Sequence, residues 1–173
     1  MPSFLTFTLA APLASFGSIA VGERRASSDR PAKSAILGLA AGALGIERED
    51  NEAHAALAHE LFYAVRTENL KVRSPRRLMT DYHTAQTPPQ VRNRRFAMRR
   101  EEAADKQNLR TILSYREYRS DCSFSVALWP RVSPSRFSLE KLAEALRKPV
   151  FVPYVGRKHV HSCCQCSISS RSG

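Results

Sequence analysis

Two short runs carry the residues best suited to chemistry: Asp81-Tyr82-His83-Thr84 and, about thirty residues later, Tyr115-Arg116-Glu117-Tyr118. Unstacked bases of single-stranded RNA are held by aromatic rings and by hydrogen bonds to their edges. Tyr82, His83, Tyr115 and Tyr118 supply such groups. Arg116 falls on the same strand face as Tyr118 by alternation, which would combine phosphate contact with stacking. Between the two runs lies a basic insert. From Lys71 to Arg100 there are nine basic residues against one acid, Asp81. Arg73, Arg76, Arg77, Arg92, Arg94, Arg95, Arg99 and Arg100 are therefore candidate phosphate contacts, and the competing reading is an ordinary solvated loop. Sequence-independent phosphate gripping predicts salt-sensitive binding.

His83 also raises the question of acid–base catalysis. Strand cleavage of RNA needs a positioned base and a nearby cation. His83 is the only histidine in the central region, and no second acid–base partner can be set beside it from spacing, so no catalytic residue is assigned. Tyr82 and His83 have a second reading as turn residues packed on a sheet, Tyr118 as a core residue, and Trp129 as core or interface.

A further cation site is expected where Lys33 and Ser34 meet a helix N-terminus, whose free N–H groups and dipole favour phosphate. Arg24, Arg25 and Arg30 lie nearby in sequence. The alternative is a plain serine cap with an exposed lysine. His159, His161, Cys163, Cys164 and Cys166 are metal-ligand types, but their spacing matches no closed zinc module. No metal and no cofactor is expected.

The elements that must position these groups follow from periodicity. Residues 3–9 alternate as a half-buried strand, with Leu5, Phe7 and Leu9 on one side. Ala10–Gly22 reads as a loop, and the polar run from Glu23 to Arg30 as mobile. A buried helix opens at Pro31 and Ser34 and stops at Gly45. Its Gly38 and Gly42 share a face and would let it approach a sheet closely. Asp50 caps a second helix, and Phe62–Thr67 is a strand. Residues 101–113 remain open between a short helix and an extended arm. Cys122–Trp129 is a strong strand, Ser138 caps an amphipathic helix that Pro149 ends, and Val150–Val155 is the last strand. The fold class is α+β. The order strand, helix, strand, strand, helix, strand is that of a ferredoxin-like, RRM-like βαββαβ domain, with the arginine-rich insert as a thumb between the second and third strands. Residues 1–158 form this domain, 70–115 the thumb, and 159–173 an atypical tail expected to be disordered.

Length and charge are consistent with this. The chain has 173 residues, room for one domain with a real core, and a formal net charge of +11. Such a field favours nucleic acid or another polyanion. No apolar run approaches the ~20 residues of a membrane span, and no basic, signal-like start is present, so no membrane partner and a cytoplasmic location are expected.

Four stretches taken in order resemble the CasD family of type I-E CRISPR Cascade, within the RAMP superfamily. They are Leu9-Ala10-Ala11-Pro12-Leu13-Ala14-Ser15-Phe16-Gly17; Pro31-Ala32-Lys33-Ser34-Ala35-Ile36-Leu37-Gly38-Leu39 on to Arg48; Asp81-Tyr82-His83-Thr84; and Tyr115-Arg116-Glu117-Tyr118 through Trp129, continued by Pro153-Tyr154-Val155-Gly156-Arg157-Lys158. The resemblance implies a non-catalytic subunit that holds the 5′ handle of crRNA at one end of the Cascade filament. Its implied neighbours are the backbone subunit, the large PAM-reading subunit and the PAM-proximal target DNA. Arg157 joins the implied RNA contacts. Related subunits in type I-C systems cut crRNA, which leaves an endoribonuclease as one alternative. A basic structural RNA-binding protein outside CRISPR is another. Phe16 stands where the family usually has Trp, Lys33 where it has Arg and Ala35 where it has Gly. The tail from His159 departs from the family's β-rich continuation, as a truncated or frame-shifted ending would.

Overall fold

The computed structural model describes residues 3–17, 19–20, 22–68, 78–89, 96–132, 134–154, 156 and, for the backbone alone, 163–170. Its elements run β1 (Ser3–Ala14), β2 (Arg24–Arg25), α1 (Lys33–Leu44), α2 (Asn51–Glu60), β3 (Leu61–Thr67), β4 (Leu78–Thr87), α3 (Arg99–Glu102), a 3-10 turn (Lys106–Asn108), β5 (Arg110–Pro130), α4 (Leu139–Arg147) and β6 (Cys163–Ser170). This is a mixed α+β fold on one six-stranded sheet.

The sheet is organised by β5, which is 21 residues long. Its C-terminal half lies between β1 and β3, antiparallel to both, with Leu128 opposite Leu5 and Tyr63. β6 pairs antiparallel with the other edge of β1, Ser3 against Ser170 through Ala10 against Cys163. The N-terminal half of β5 leaves this group and pairs with β4 instead. The two halves explain why the strand is so long: one is core and the other is arm.

Alternation sends Leu5, Phe7, Leu9 and Ala11 of β1 and Cys122, Phe124, Val126 and Leu128 of β5 to the same side. All are buried, in one cluster with Ile36, Leu37 and Ala40 of α1 and Leu139, Leu142 and Leu146 of α4. Phe16 packs edge-on against Phe124, with ring centroids 5.4 Å apart. Each fully buried large apolar side chain contributes about 1.5–3 kcal/mol, so this layer anchors everything that follows. The helix ends have local causes. Asp50 accepts from the Ala53 amide at 3.0 Å and Ser138 from the Lys141 amide at 3.1 Å, as N-caps do. Gly45 ends α1 in the left-handed region, φ 78°, where a β-carbon is penalised.

Several expectations are corrected. β1 continues to Ala14 rather than ending near residue 9. Pro12 is tolerated because its missing N–H falls beyond the reach of β6, and opposite Asp121, whose φ of 51° interrupts the ladder there. The polar run at 23–30 is pinned, not mobile, as described below. α1 opens at Lys33 with Ala32 at the N-cap position, so Ser34 is not a cap. Gly38 and Gly42 do not bring α1 onto the sheet. A β-carbon at either would meet nothing within 4 Å. Both face a groove of about 750 Å3 shared with Phe16, Leu39, Phe151 and Tyr154.

The last strand is corrected as well. Residues 150–154 form no named strand, and Val150, Phe151, Val152 and Tyr154 are exposed. Cys163–Ser170, expected to be part of a structureless tail, is the edge strand β6. The β1 edge has unpaired N–H and C=O groups that any extended segment can satisfy, and the serine-rich segment does so. Gly156, with φ 90°, lies against the Ser15 carbonyl so closely that a β-carbon would sit 1.7 Å from its oxygen. None of the helices among the described residues is long and apolar enough to cross a membrane.

Candidate nucleic-acid interface

The described part of the insert forms an arm. β4 and the N-terminal half of β5 make an antiparallel ribbon, in register from Leu78 opposite Arg119 to Thr87 opposite Arg110. α3 and the 3-10 turn lie at its far end. Thr, Tyr and Ile residues suit such a pleated, half-exposed ribbon.

The register sorts the predicted residues onto two faces. Tyr82 stands opposite Tyr115, and their rings meet at 5.2 Å between centroids, tilted by 48°. Both are well exposed, at 53% and 41%. Each exposed ring offers solvent its own aromatic surface, on which a base can stack. On the other face Asp81 stands opposite Arg116 and His83 opposite Ser114. The His83 Nε2 is in hydrogen-bond contact with Asp81 Oδ2, and both side chains are about half exposed. Tyr82 and His83 therefore do not act on one side, nor do Tyr115 and Arg116. Spacing alone could not reveal that Asp81 is the partner of His83, although residues two apart on a strand share a face.

Tyr118 shares a face with Arg116 as alternation predicts, but it is buried at 3% exposure. It is a core residue and not a stacking platform. The arm enters the core at that point, so the face that leaves Arg116 half-buried takes Tyr118 fully inward.

The base of the arm is locked by a residue that sequence reasoning passed over. Glu117 is buried at 4% exposure. Its Oε1 accepts from Arg24 Nε at 2.8 Å and Nη2 at 2.6 Å, and its Oε2 from the Ser27 amide at 3.1 Å. The Arg24 hydrogen bonds, helped by the Ser27 amide and by the positive charges of Arg24 and Arg119, hold its carboxyl below the usual glutamate range despite burial. Arg119 donates to the Ser28 carbonyl at 2.7 Å, and the Tyr115 amide to the Glu23 carbonyl at 2.9 Å. β2 pairs in parallel with Tyr115 and Arg116. Arg24 is thus a structural tie whose outer surface remains exposed, and Arg25 donates to the Gly22 carbonyl at 2.6 Å. The one signal for this lock in the sequence was an acid set alone among Tyr115, Arg116, Tyr118 and Arg119.

Of the remaining candidates, Lys33 reaches across to the Ala58 carbonyl at 2.7 Å and is engaged with the C-terminal part of α2. Ser34 is exposed beside the groove of α1. Arg99 contacts the Gln86 carbonyl and pairs with Glu102 at 2.5 Å, bracing the arm's end. Arg100 is exposed there, as are Lys106 and Arg110. Arg73, Arg76, Arg77, Arg92, Arg94, Arg95 and Arg157 lie outside the described residues, as do His159, His161 and the side chains of Cys163, Cys164 and Cys166. Among the described residues, no three His, Cys, Asp or Glu side chains converge on one point. What the arm offers is a ring pair on one face, a carboxylate-held imidazole and a guanidinium on the other, and cations at its end.

Comparison with known proteins shows the family. The family described as CRISPR-associated protein (Cas_Cas5) matches residues 4–167. The chain is 33% identical over 162 residues to the CRISPR system Cascade subunit CasD of Escherichia coli (strain K12), covering 91% of this chain and 66% of the relative. Among solved structures, a chain of a CRISPR RNA-guided surveillance complex superposes with a TM-score of 0.64 at 27% identity, covering 93% of this chain and 60% of that one. A crystal structure of a Cas protein superposes with a TM-score of 0.55 at 27% identity, covering 90% and 57%. The chain thus spans about two thirds of the curated relative's length and less of the two solved ones.

Proposed function

Because the chain belongs to the CRISPR-associated Cas5 family, we propose that it is a non-catalytic subunit of a Cascade-type surveillance complex, and that its arm holds the 5′ handle of crRNA at one end of the filament. The carrying observation is the β4–β5 ribbon, which presents the Tyr82–Tyr115 ring pair away from the core beside a region rich in arginine. Exposed rings take unstacked bases without demanding sequence, and guanidinium groups take the phosphates between them. The Glu117–Arg24 lock sets the angle at which the ribbon leaves the sheet, so the handle would meet a preformed surface. The strand order β3-β5-β1-β6, with helices over one face, supports a ferredoxin-like core with this arm as its thumb. In this reading the partners are crRNA, the adjacent backbone subunit, the large PAM-reading subunit and target DNA near the PAM.

The test uses purified protein and a crRNA carrying the handle. Tyr82→Ala with Tyr115→Ala should weaken binding at least tenfold. Arg100→Glu with Arg116→Glu should weaken it and reduce the slope of log K against log salt by about 1.4, the share of two phosphate contacts to a single strand. Binding and salt slope equal to wild type in both variants would refute the reading.

A second reading rests on the Asp81–His83 contact. A carboxylate that orients an imidazole, with Arg116 in register beside it, is the outline of a general base with a cation for the developing charge. This favours a metal-independent endoribonuclease of the same superfamily. Incubating the protein with repeat RNA in chelator separates the two. The binding role expects RNA of unchanged length, with His83→Ala altering retention only. A product with a defined 5′ end, lost in His83→Ala, would establish the nuclease.

A further inference from the structure

The face of the sheet turned away from α1 and α4 carries a second set of aromatic residues, far along β5 from the arm. Register places Trp129 of β5 beside Phe62 of β3, and Leu128 opposite Leu5 brings Phe4 of β1 to Trp129's other side. The three rings form one transverse row. Phe4 and Trp129 have centroids 5.6 Å apart, tilted by 57°, and Phe62 and Trp129 5.7 Å apart, tilted by 31°. The Arg131 guanidinium carbon lies 5.3 Å from the centre of the Phe62 ring. Phe62 is 42% exposed.

Two residues further along each strand, the same face becomes shallow: Thr6, Ala127 and Ala64 are small. Another two residues on come Thr8, Ser125 and Arg66. The trough lined by Thr6, Thr8, Ala64, Arg66, Ser125 and Ala127, next along the face from the ring row, has a volume of about 500 Å3. The side chain of Arg66 is 77% exposed and pairs with Glu68 at 2.8 Å, so the one acid near the trough is neutralised. Ring row to Arg66 is four residues, about 13 Å along a strand.

We infer that this face is a second binding surface, for single-stranded RNA, separate from the arm. Three features select that partner. The ring row carries the Arg131 guanidinium at one end, and the acid beside the trough among the described residues, Glu68, is paired with Arg66, which suits a polyanion with flat bases and opposes an acidic protein surface. The trough is floored by small side chains, so a base can lie flat against the sheet beside Trp129 with little steric conflict. The Thr8 hydroxyl offers a hydrogen-bonding partner to a ribose 2′-OH, which DNA lacks, and the Ser125 hydroxyl, which donates to Glu68 Oε1, can still accept from one. A length of about 13 Å accommodates the two or three bases that an open four-stranded sheet stacks. The arm's role is not needed for this inference, and the two surfaces fail separately.

Trp129 is the sole tryptophan of the chain, so its fluorescence reports this face alone. The full chain would be titrated with octauridylate, with its deoxy counterpart and with inorganic polyphosphate of equal charge, in low salt. Octauridylate should quench Trp129 saturably. Polyphosphate, which has no base to stack, should not, and the deoxy oligomer should bind several-fold more weakly. Phe62→Ala and Arg131→Gln remove exposed groups with little risk to folding. Each should raise the half-quenching concentration, about tenfold for the ring. Tyr82→Ala with Tyr115→Ala on the arm should leave the quenching curve unchanged. Absence of quenching, equal quenching by polyphosphate or by the deoxy oligomer, or a curve moved by the arm variant and not by Phe62→Ala would overturn the inference. Wild-type octauridylate binding by both face variants, with loss of association to another protein chain, would also overturn it and make the face a protein contact.

Discussion

At the scale of single residues, the base of the arm depends on Glu117, which is buried and bonded to Arg24 and Ser27. A buried carboxylate is tolerated only when its lone pairs are taken, and here Arg24 and the Ser27 amide take them. The consequence for pH has a definite sign. The carboxyl's pKa is lowered on folding from its ordinary value of about 4.5, so the unfolded chain binds more protons across that range. The group's stabilisation is therefore complete above about pH 4.5 and is lost as pH falls through the lower folded value. Glu117→Gln should cost about 1–3 kcal/mol at pH 7, where a charged hydrogen-bond partner is replaced by a neutral one that leaves Arg24 poorly matched. Urea midpoints of variant and wild type should converge as pH drops from 5 toward 3. A gap that stays constant over that interval would show that the lock does not depend on the charge.

Elements bring out a different contrast. α1 is apolar almost all round, and Gly38 and Gly42 sit four apart on one side. That pattern usually marks close packing. The structure instead leaves both positions facing an open groove, with nothing within 4 Å of a built β-carbon. The helix is held from its other side, through Ile36, Leu37, Ala40, Ala41 and Ala43. Glycine inside a helix costs roughly 0.5–1 kcal/mol relative to alanine. Gly38→Ala and Gly42→Ala should therefore each stabilise the chain by about that amount in urea unfolding, and should add, since they fill empty space. Destabilisation by either would mean that another surface approaches the groove more closely than the described residues do.

For the molecule as a whole, the decisive feature is that the chain returns to its first strand at the end. β6 pairs with β1 over the register from Ser3 to Ala10, so β1 is an interior strand and not an edge. Removing residues 159–173 would strip that ladder and expose the β1 edge, a template for self-association. The truncated chain should melt lower by roughly 5 °C or more, given that ~1 kcal/mol moves Tm by about 2–4 °C at this size. It should also show concentration-dependent association in sedimentation. A melting temperature equal to that of the full chain, with no association, would mean that β6 contributes nothing to the fold. The net charge of +11 belongs to this scale too: it makes any polyanion binding steep in salt without saying where the polyanion lies.

Much of this protein followed from its sequence alone, and the reason is locality. Period-two alternation identified the core sides of β1 and of the Cys122–Trp129 part of β5. Side-chain oxygen at Asp50 and Ser138 marked two helix starts, and Gly45 one helix end. The Asp81–Thr84 and Tyr115–Tyr118 runs both fall on the β4–β5 ribbon. Each of these signals depends on residues within a few positions of one another. What the tertiary structure decided involves partners far apart in the chain, which no spacing rule encodes. Only the register of β4 on β5 puts Tyr82 against Tyr115 while turning His83 to the other face with Asp81. Only the entry of β5 into the core buries Tyr118 and not Arg116. Arg24 and Glu117 meet across 93 residues, and a serine-rich ending becomes a strand because the β1 edge offers hydrogen bonds to whatever reaches it. Long-range pairing of this kind is set by which edges and faces remain unsatisfied once the core has formed, and that is a property of the folded chain.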